Sequence, residues 1–333
     1  FPALAPARLH QPRLSSVARL RPVSAGGAAA RIKMTVTSDA EATSKEGMLE
    51  AERFIIFNRF QTRDDAGPRF EKRWASRKSS LQQLEGFKLF CLLRRCDSIA
   101  KDDGSEYRCP EGTPDYMSMT WWQNRKNFNT WRTGHAFKEA HGGGSIAGFL
   151  KAMVGSMMVL KGTPKPWAWE GLVVEAKETK DSPLVLQPRN EEGMVESDGS
   201  TPLTPECFVA MNRFKVKEGK ERAFEAVWEG RESTLSTAAG FAAFTLLRSP
   251  SASSSPHKEG GEGAFGGEDK YNYSTCSVWD SKESWQAWMR TSHTPKTEKQ
   301  SKEGRPGMGE LVDGPPSPVF WDGVLVLQSP LSP

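Results

Sequence analysis

The sequence predicts an α+β chain built from two tandem βαββαβ units whose sheets pack against one another. Three observations carry this reading: an internal repeat, the order of hydrophobic patterns within each copy, and the apolar sheet face each copy leaves uncovered. FNRF (Phe57 to Phe60) aligns with MNRF (Met211 to Phe214), and FEKRWASR (Phe70 to Arg77) with FEAVWEGR (Phe224 to Arg231). EGFKLFCLLR (Glu85 to Arg94) likewise aligns with AGFAAFTLLR (Ala239 to Arg248). The offset is 154 residues from Asn58/Asn212 to Leu93/Leu247, and 157 for Trp122/Trp279 and Trp131/Trp288.

Within the first copy, Phe54 to Phe60 alternates as a half-buried strand does. Phe54, Ile56, Asn58 and Phe60 share one face, and Ile55, Phe57 and Arg59 share the other. A helix is expected from Pro68 to Leu84, with Pro68 in its first turn and Gly86 in the left-handed position beyond its end. Phe70, Trp74, Arg77 and Leu81 recur at helical spacing, as do Phe224, Trp228, Arg231 and Leu235. Strands follow at Phe87 to Arg94 and Tyr116 to Trp122, separated by a polar loop containing Gly and Pro. A second helix is expected from Arg125 to His141, matched by Ser281 to Arg290. The last strand includes Gly171 to Glu175, matched by Gly323 to Leu327. With helices over one face of each sheet, burying the other faces against each other gives an internal pseudo-dimer, so a monomer is expected.

The domain boundaries follow: a leader over residues 1–50, a first domain over 51–178, a linker over 179–205 rich in Pro, Ser and acids, and a second domain over 206–330. Residues 1–38 carry six Arg and Lys and no acid, the composition of an organellar transit peptide, with a chloroplast favoured over a mitochondrion. Without those six charges the net +4 of the 333-residue chain becomes about −2, which argues against a nucleic-acid partner. Mean hydropathy is −0.57, and no apolar run reaches the roughly 18 residues of a membrane span. The five cysteines form no C-x-x-C pair, so neither a disulfide framework nor a zinc site is expected. Cys91 and Cys276 fall inside strands and read as buried reduced thiols.

The copies differ where one alone holds a metal-competent side chain. His141 stands ten residues after Trp131, and its counterpart is Glu298. Gly142, Gly143 and Gly144 follow it and would let a large planar ligand approach the backbone. The ordinary alternative is a surface histidine ending a helix. Asn58 shares a face with three apolar side chains, so its amide needs either a ligand or a neighbouring partner. Trp131 is a cofactor wall or simply core, and Trp288 in the other copy favours core.

These residues resemble a known family. N-R-F on a first strand, an aromatic helix followed by G-F, and Trp131 ten residues before His141 in F-K-E-A-H are similar to the IsdG-type heme-degrading monooxygenases. Those enzymes fall in the antibiotic biosynthesis monooxygenase superfamily, and tandem domains behind a transit peptide resemble the plastid heme oxygenases of algae. The resemblance implies ferredoxin-like domains closing into a dimeric α/β-barrel. It implies His141 as the axial ligand of heme iron, Asn58 as the distal-pocket amide and Trp131 as the heme contact; Phe60, Trp122 and Phe137 read as pocket wall or, by the stronger default, as ordinary core. Heme would then be substrate and cofactor together, with dioxygen and an external reductase or small reductant, and would be opened with release of iron. The second copy keeps Asn212 and Trp288 but offers only His293, with Pro295 close behind, so one heme per chain is expected. Arg59, Arg77, Arg213 and Arg231 read as structural ion-pair partners. Two rivals remain: a cofactor-free monooxygenase acting on a small aromatic or quinone-like compound, and a non-catalytic heme-binding or interaction module.

Overall fold

Each half lays down four antiparallel strands in the spatial order fourth, first, third, second. The computed structural model describes residues 47–134, 155, 157–231, 233–249, 271–292 and 307–329. In the first half these are β1 (Arg53–Phe60), α1 (Gly67–Ala75), β2 (Phe87–Arg95), β3 (Ser98–Ala100), β4 (Glu106–Arg108), β5 (Tyr116–Trp122), α2 (Arg125–Thr133) and β6 (Lys165–Ala176). In the second they are β7 (Cys207–Phe214), α3 (Glu221–Glu229), β8 (Phe241–Arg248), β9 (Tyr273–Trp279), α4 (Lys282–Ser292), α5 (Met308–Leu311) and β10 (Ser317–Gln328). Strand four of each half pairs with strand two of the other, closing an eight-stranded barrel in the order β1-β5-β2-β10-β7-β9-β8-β6. Closure leaves none of these eight strands with an unpaired edge.

Strand alternation sorts the side chains as expected. Ile55 and Phe57 point into the barrel with Met117, Met119, Trp121, Trp169, Val209 and Trp321. Phe54, Ile56 and Phe60 point outward, beneath α1 and α2, with Phe70, Phe90, Leu92 and Trp122. Cys91, Cys207 and Cys276 are free thiols buried inside the barrel. Burial pushes the Cys91 and Cys276 thiols up, which keeps them protonated and unreactive.

The helix ends differ from expectation. α1 stops at Ala75 and not at Leu84, because the Ser-rich stretch that follows gives way to a 3-10 turn over Leu81–Gln83. Leu81 and Leu84 still reach the same apolar cluster, so the hydrophobic spacing was real although the helix was not continuous. Gly86 does adopt φ +74°, and a Cβ there would collide with Asn127 at the start of α2. α2 is capped by Asn124, whose side chain accepts from the Asn127 N–H at 2.9 Å. It ends at Thr133, since Gly134 is extended, so a single helix from Arg125 to His141 is not formed. The final strands, which include the expected Gly171 to Glu175 and Gly323 to Leu327, run twelve residues each.

The seams between halves carry a repeated polar device. Glu71 on α1 is fully buried; it accepts from Tyr116 Oη at 2.8 Å, Arg94 Nη1 at 2.9 Å and the Leu203 N–H at 2.5 Å. Arg94 extends from there across the seam to Asp322 on β10, at 3.2 Å. Glu225 on α3 repeats this with Tyr273 (2.7 Å), Arg248 (2.8 Å) and the Leu49 N–H (2.7 Å). Arg248 reaches Glu170 on β6 at 2.7 Å. Residues 179–205 run against the barrel wall. Arg189 makes paired contacts with buried Glu206, at 2.7 and 3.0 Å, and Val195 and Leu203 are buried beside α1.

Removing Glu71 strands an arginine, a phenol and a backbone N–H together. Glu71→Ala is expected to cost about 3–5 kcal/mol, read from the denaturant midpoint, and Glu225→Ala a similar amount. A change below about 0.5 kcal/mol in either would contradict a structural role for these carboxylates.

Candidate functional site

The outward face of the first sheet offers a row of Phe90, Thr120, Ile56 and Ala168, since these four are aligned across β2, β5, β1 and β6. Asn58 lies two residues beyond Ile56 on the same face, opposite Ser118 and Pro166. It is partly buried, and its Nδ2 donates to Ser118 Oγ at 3.3 Å. One wall comes from α1, where Trp74 stacks on Phe90 with centroids 5.7 Å apart. The other comes from α2, where Trp131 lies 5.4 Å from Trp122 and 5.7 Å from Phe128.

The expected pocket residues fall into three groups. Asn58 and Trp131 lie on the same side of the sheet, Asn58 on the floor and Trp131 at the α2 wall, where it is only partly buried. Phe60 and Trp122 are buried beneath the helices: Phe60 packs on Phe70 (5.1 Å) and Trp74 (5.7 Å), and Trp122 on Phe87 (5.6 Å) and Phe128 (6.0 Å). Both serve as base on which the partly buried Trp74 and Trp131 rest. Phe137 and His141 lie outside the described residues, as do His135 and His293. None of the chain's five histidines is among the described residues, so imidazole ligation rests on the sequence alone. Among the described residues no group of three or more His, Cys, Asp or Glu side chains could hold a metal ion. No described helix is long and apolar enough to cross a membrane.

The equivalent face of the second half is filled. Phe320 occupies the position of Ala168, and Trp285 that of Phe128. The β3–β4 hairpin, which departs from the first half between β2 and β5, lies across this second face. Ile99 is 2% exposed in a cluster with Phe208, Trp279, Trp285 and Phe320. Tyr107 sits 5.6 Å from Phe320, and Arg290 on α4 grips Asp102 of the hairpin turn at 2.8 and 2.9 Å. The polar loop expected between these strands is therefore a docking element, which its composition did not announce. In the first half the small Ala168 stays partly exposed. A contrast in hydrogen bonding accompanies this. Trp279 Nε1 donates to Ser277 Oγ at 3.0 Å, whereas Thr120 turns its hydroxyl to the Ile56 carbonyl at 3.4 Å. Trp122 Nε1 is left with no acceptor among the described residues.

The four arginines also separate. Arg213 is buried and donates to Ser317 Oγ at 2.6 Å, and Arg231 pairs with Glu175 at 3.4 Å. Arg59 lies on the first strand and is partly buried. Arg77 stacks over Trp74 at 4.1 Å, and no acidic side chain among the described residues pairs with it. Burial, with Arg73 nearby, pushes its guanidinium down to about 10.

The sequence model of the antibiotic biosynthesis monooxygenase family matches residues 53–143 and 207–255, so the match falls on both halves. Among curated proteins no sequence matches. Solved structures similar to this chain include two described as “Putative monooxygenase”. The one from Fusobacterium nucleatum is 8% identical with a TM-score of 0.47, over 86% of this chain and 99% of that one. The one from Lactobacillus acidophilus is 10% identical with a TM-score of 0.47, over 85% and 99%. A chlorite dismutase mutant from Candidatus Nitrospira defluvii is 12% identical with a TM-score of 0.33, over 83% and 94%.

If the hairpin is a structural plug, Ile99→Ala should destabilise the chain by about 2–5 kcal/mol. Thermal or chemical denaturation reads this directly, and an unchanged midpoint would remove the plug from the account.

Proposed function

We propose that the first-half cleft binds heme and that the protein is a monooxygenase that degrades it, releasing iron. The observation that carries this reading is the difference between the two helix-covered faces. Both halves keep the amide and the tryptophan, Asn58 with Trp131 and Asn212 with Trp288, but the second face is closed by Phe320, Tyr107 and Ile99, while the first has the small, partly exposed Ala168 in the place of Phe320. A floor of Ile56, Ala168 and Phe90 suits the apolar body of a porphyrin, and largely apolar walls with few polar groups are typical of such sites. The antibiotic biosynthesis monooxygenase match supports oxygenation as the class of chemistry.

In this reading His141 supplies the iron ligand from the segment after α2. The chemistry heme supplies when bound is dioxygen activation at iron beside its own macrocycle, with electrons from an outside reductase or small reductant. Asn58 holds its amide in place through Ser118, at a bond long enough for that donor to turn to a ligand. Trp131 is backed by Trp122 and Phe128, so it can press on a planar ligand without yielding. The helix-side cluster excludes water from the floor. The acid-free, arginine-rich leader supports delivery to a chloroplast.

Hemin titration of the purified chain tests this. The expected result is one hemin per chain, a Soret band lost in His141→Ala, and decay of that band with iron release when ascorbate is added. Asn58→Ala should bind hemin but turn it over at least about tenfold more slowly, equivalent to about 1.4 kcal/mol. Ala168→Phe, copying the filled half, should weaken binding by at least about tenfold without lowering the melting temperature. Hemin that binds without decaying would leave a carrier. Failure to bind at stoichiometric amounts would favour a cofactor-free monooxygenase on a small aromatic compound.

A further inference from the structure

The barrel has a mouth at the end where β1 and β2 begin and β6 and β10 finish. A cavity of about 60 Å³ lies there, lined by residues of both halves and of the segment that joins them. Its inner wall is apolar: Leu89, Trp121, Ala243 and Val278 belong to the barrel cluster, and Val174 packs against it. Arg53, Lys88 and Lys177 also line the cavity, and no Asp or Glu side chain does. The chain after β6 runs along the same mouth. Thr179 Oγ1 donates to the Ser329 carbonyl at 2.5 Å, Gln328 Nε2 donates to Ser182 Oγ at 3.0 Å, and Leu184 packs on the barrel cluster.

Charge, hydrogen bonding and size each narrow what this cavity can hold. Burial, with the neighbouring Arg53 guanidinium, pushes the Lys88 ammonium down, so two like charges crowd one opening. Arg53 donates to the Glu52 carbonyl at 2.8 Å and Lys177 to the Ser236 carbonyl at 2.7 Å, neutral acceptors that leave both charges standing. The Glu52 carboxylate beside Arg53 is exposed and accepts from the Val174 N–H at 3.2 Å. Trp121 is buried, and its Nε1–H meets no acceptor among the described residues. A buried donor of this kind is costly until an acceptor reaches it. As for size, a water takes about 30 Å³ of liquid and a benzene-sized ligand fills about 150 Å³. The cavity therefore excludes an aromatic ring and admits a chain of a few heavy atoms.

We propose that the barrel mouth is a binding site for a short-chain carboxylate of about two to four carbons, its head among Arg53, Lys88 and Lys177 and its tail against Leu89 and Val278. Cations and an unanswered donor call for an anionic acceptor, and the apolar wall behind them calls for hydrocarbon. Inorganic phosphate would turn polar oxygens toward that wall and lose their hydration there. The site lies on the Trp121 side of the sheet, inside the barrel, whereas the helix-covered cleft lies on the Trp122 side. It is therefore independent of the heme reading. Its occupant touches both halves and the joining segment, so binding holds the three together.

The test follows the melting temperature of the full chain against propionate at constant ionic strength, with propionamide as the neutral isostere and inorganic phosphate as a second anion. Each variant's own melting temperature without ligand is the baseline for its response. Propionate should raise the wild-type value saturably, and propionamide should act at least about tenfold more weakly. Lys88→Met keeps the stem and removes the charge, and should weaken propionate at least about tenfold. Ala243→Val, which fills the cavity, should abolish the response; if it overpacks and melts lower, Lys88→Met alone decides. A wild type that ignores propionate overturns the site. A response that Lys88→Met leaves intact belongs to the surface at large and overturns it too. Phosphate that saturates as tightly as propionate, and is lost in Lys88→Met, would make this an inorganic-anion site and overturn the carboxylate assignment.

Discussion

A buried carboxylate on the first helix of each half, Glu71 or Glu225, receives an arginine that then reaches over the seam to an acid of the other half. Glu71–Arg94–Asp322 and Glu225–Arg248–Glu170 are the same chain of contacts drawn twice. Their net worth in free energy is small, since desolvating the charges offsets much of their attraction. Their worth in specificity is larger. A four-stranded sheet of either half alone would expose strands two and four as unpaired edges. The two chains of contacts lie where β2 meets β10 and where β8 meets β6, and they are satisfied only when those strands pair.

The symmetry of the seam sets off the asymmetry of the helix-covered faces. At the seam the duplicated residues agree: Glu71 with Glu225, Arg94 with Arg248, Tyr116 with Tyr273, Leu203 with Leu49. Over the faces they part: Ala168 against Phe320, Phe128 against Trp285, Leu327 against Glu175. Positions that must close the barrel are held in common. Over the helix-covered faces Asn58/Asn212 and Trp131/Trp288 are kept while their neighbours have diverged, and the second face is packed shut.

Much of this was legible from the repeat. The 154-residue offset and the alternation in Phe54 to Phe60 fixed both faces of β1, because strand periodicity is a local property. Barrel closure was expected from the family resemblance alone, since the pairing of β2 with β10 joins residues more than 220 apart and leaves no local mark. Glu71 was visible as a shared acid in FEKRW and FEAVW, and an acid recurring on a helix face that packs a core is a signal that could have been followed. Reading Arg77 and Arg231 alike as ion-pair partners held for Arg231 and failed for Arg77, because the deciding residue, Leu327 or Glu175, comes from the other half. Asn58 was placed on its face by alternation, and Trp131 was brought to it by the family resemblance alone, whereas the plugging of the second face depended on a loop whose polar composition hides Ile99 and Tyr107.

The plug also ties the two faces together. The β3–β4 hairpin is held at both ends by strands of the first half, leaving β2 at Arg95 and returning to β5 at Tyr116. Its tip is held by α4 of the second half through Asp102 and the Ala100 carbonyl. β2 and β5 are the same strands that carry Phe90 and Thr120 into the floor of the first cleft. A shift of those strands to admit a ligand would therefore pull on Ile99 and Tyr107, which are packed among Phe208, Trp285 and Phe320. Close packing resists such a pull, because interiors at crystal-like density have little room to yield. The packing of the second face thereby stiffens the strands beneath the first. A rigid sheet beneath Asn58 is what an amide needs if it is to keep a fixed aim.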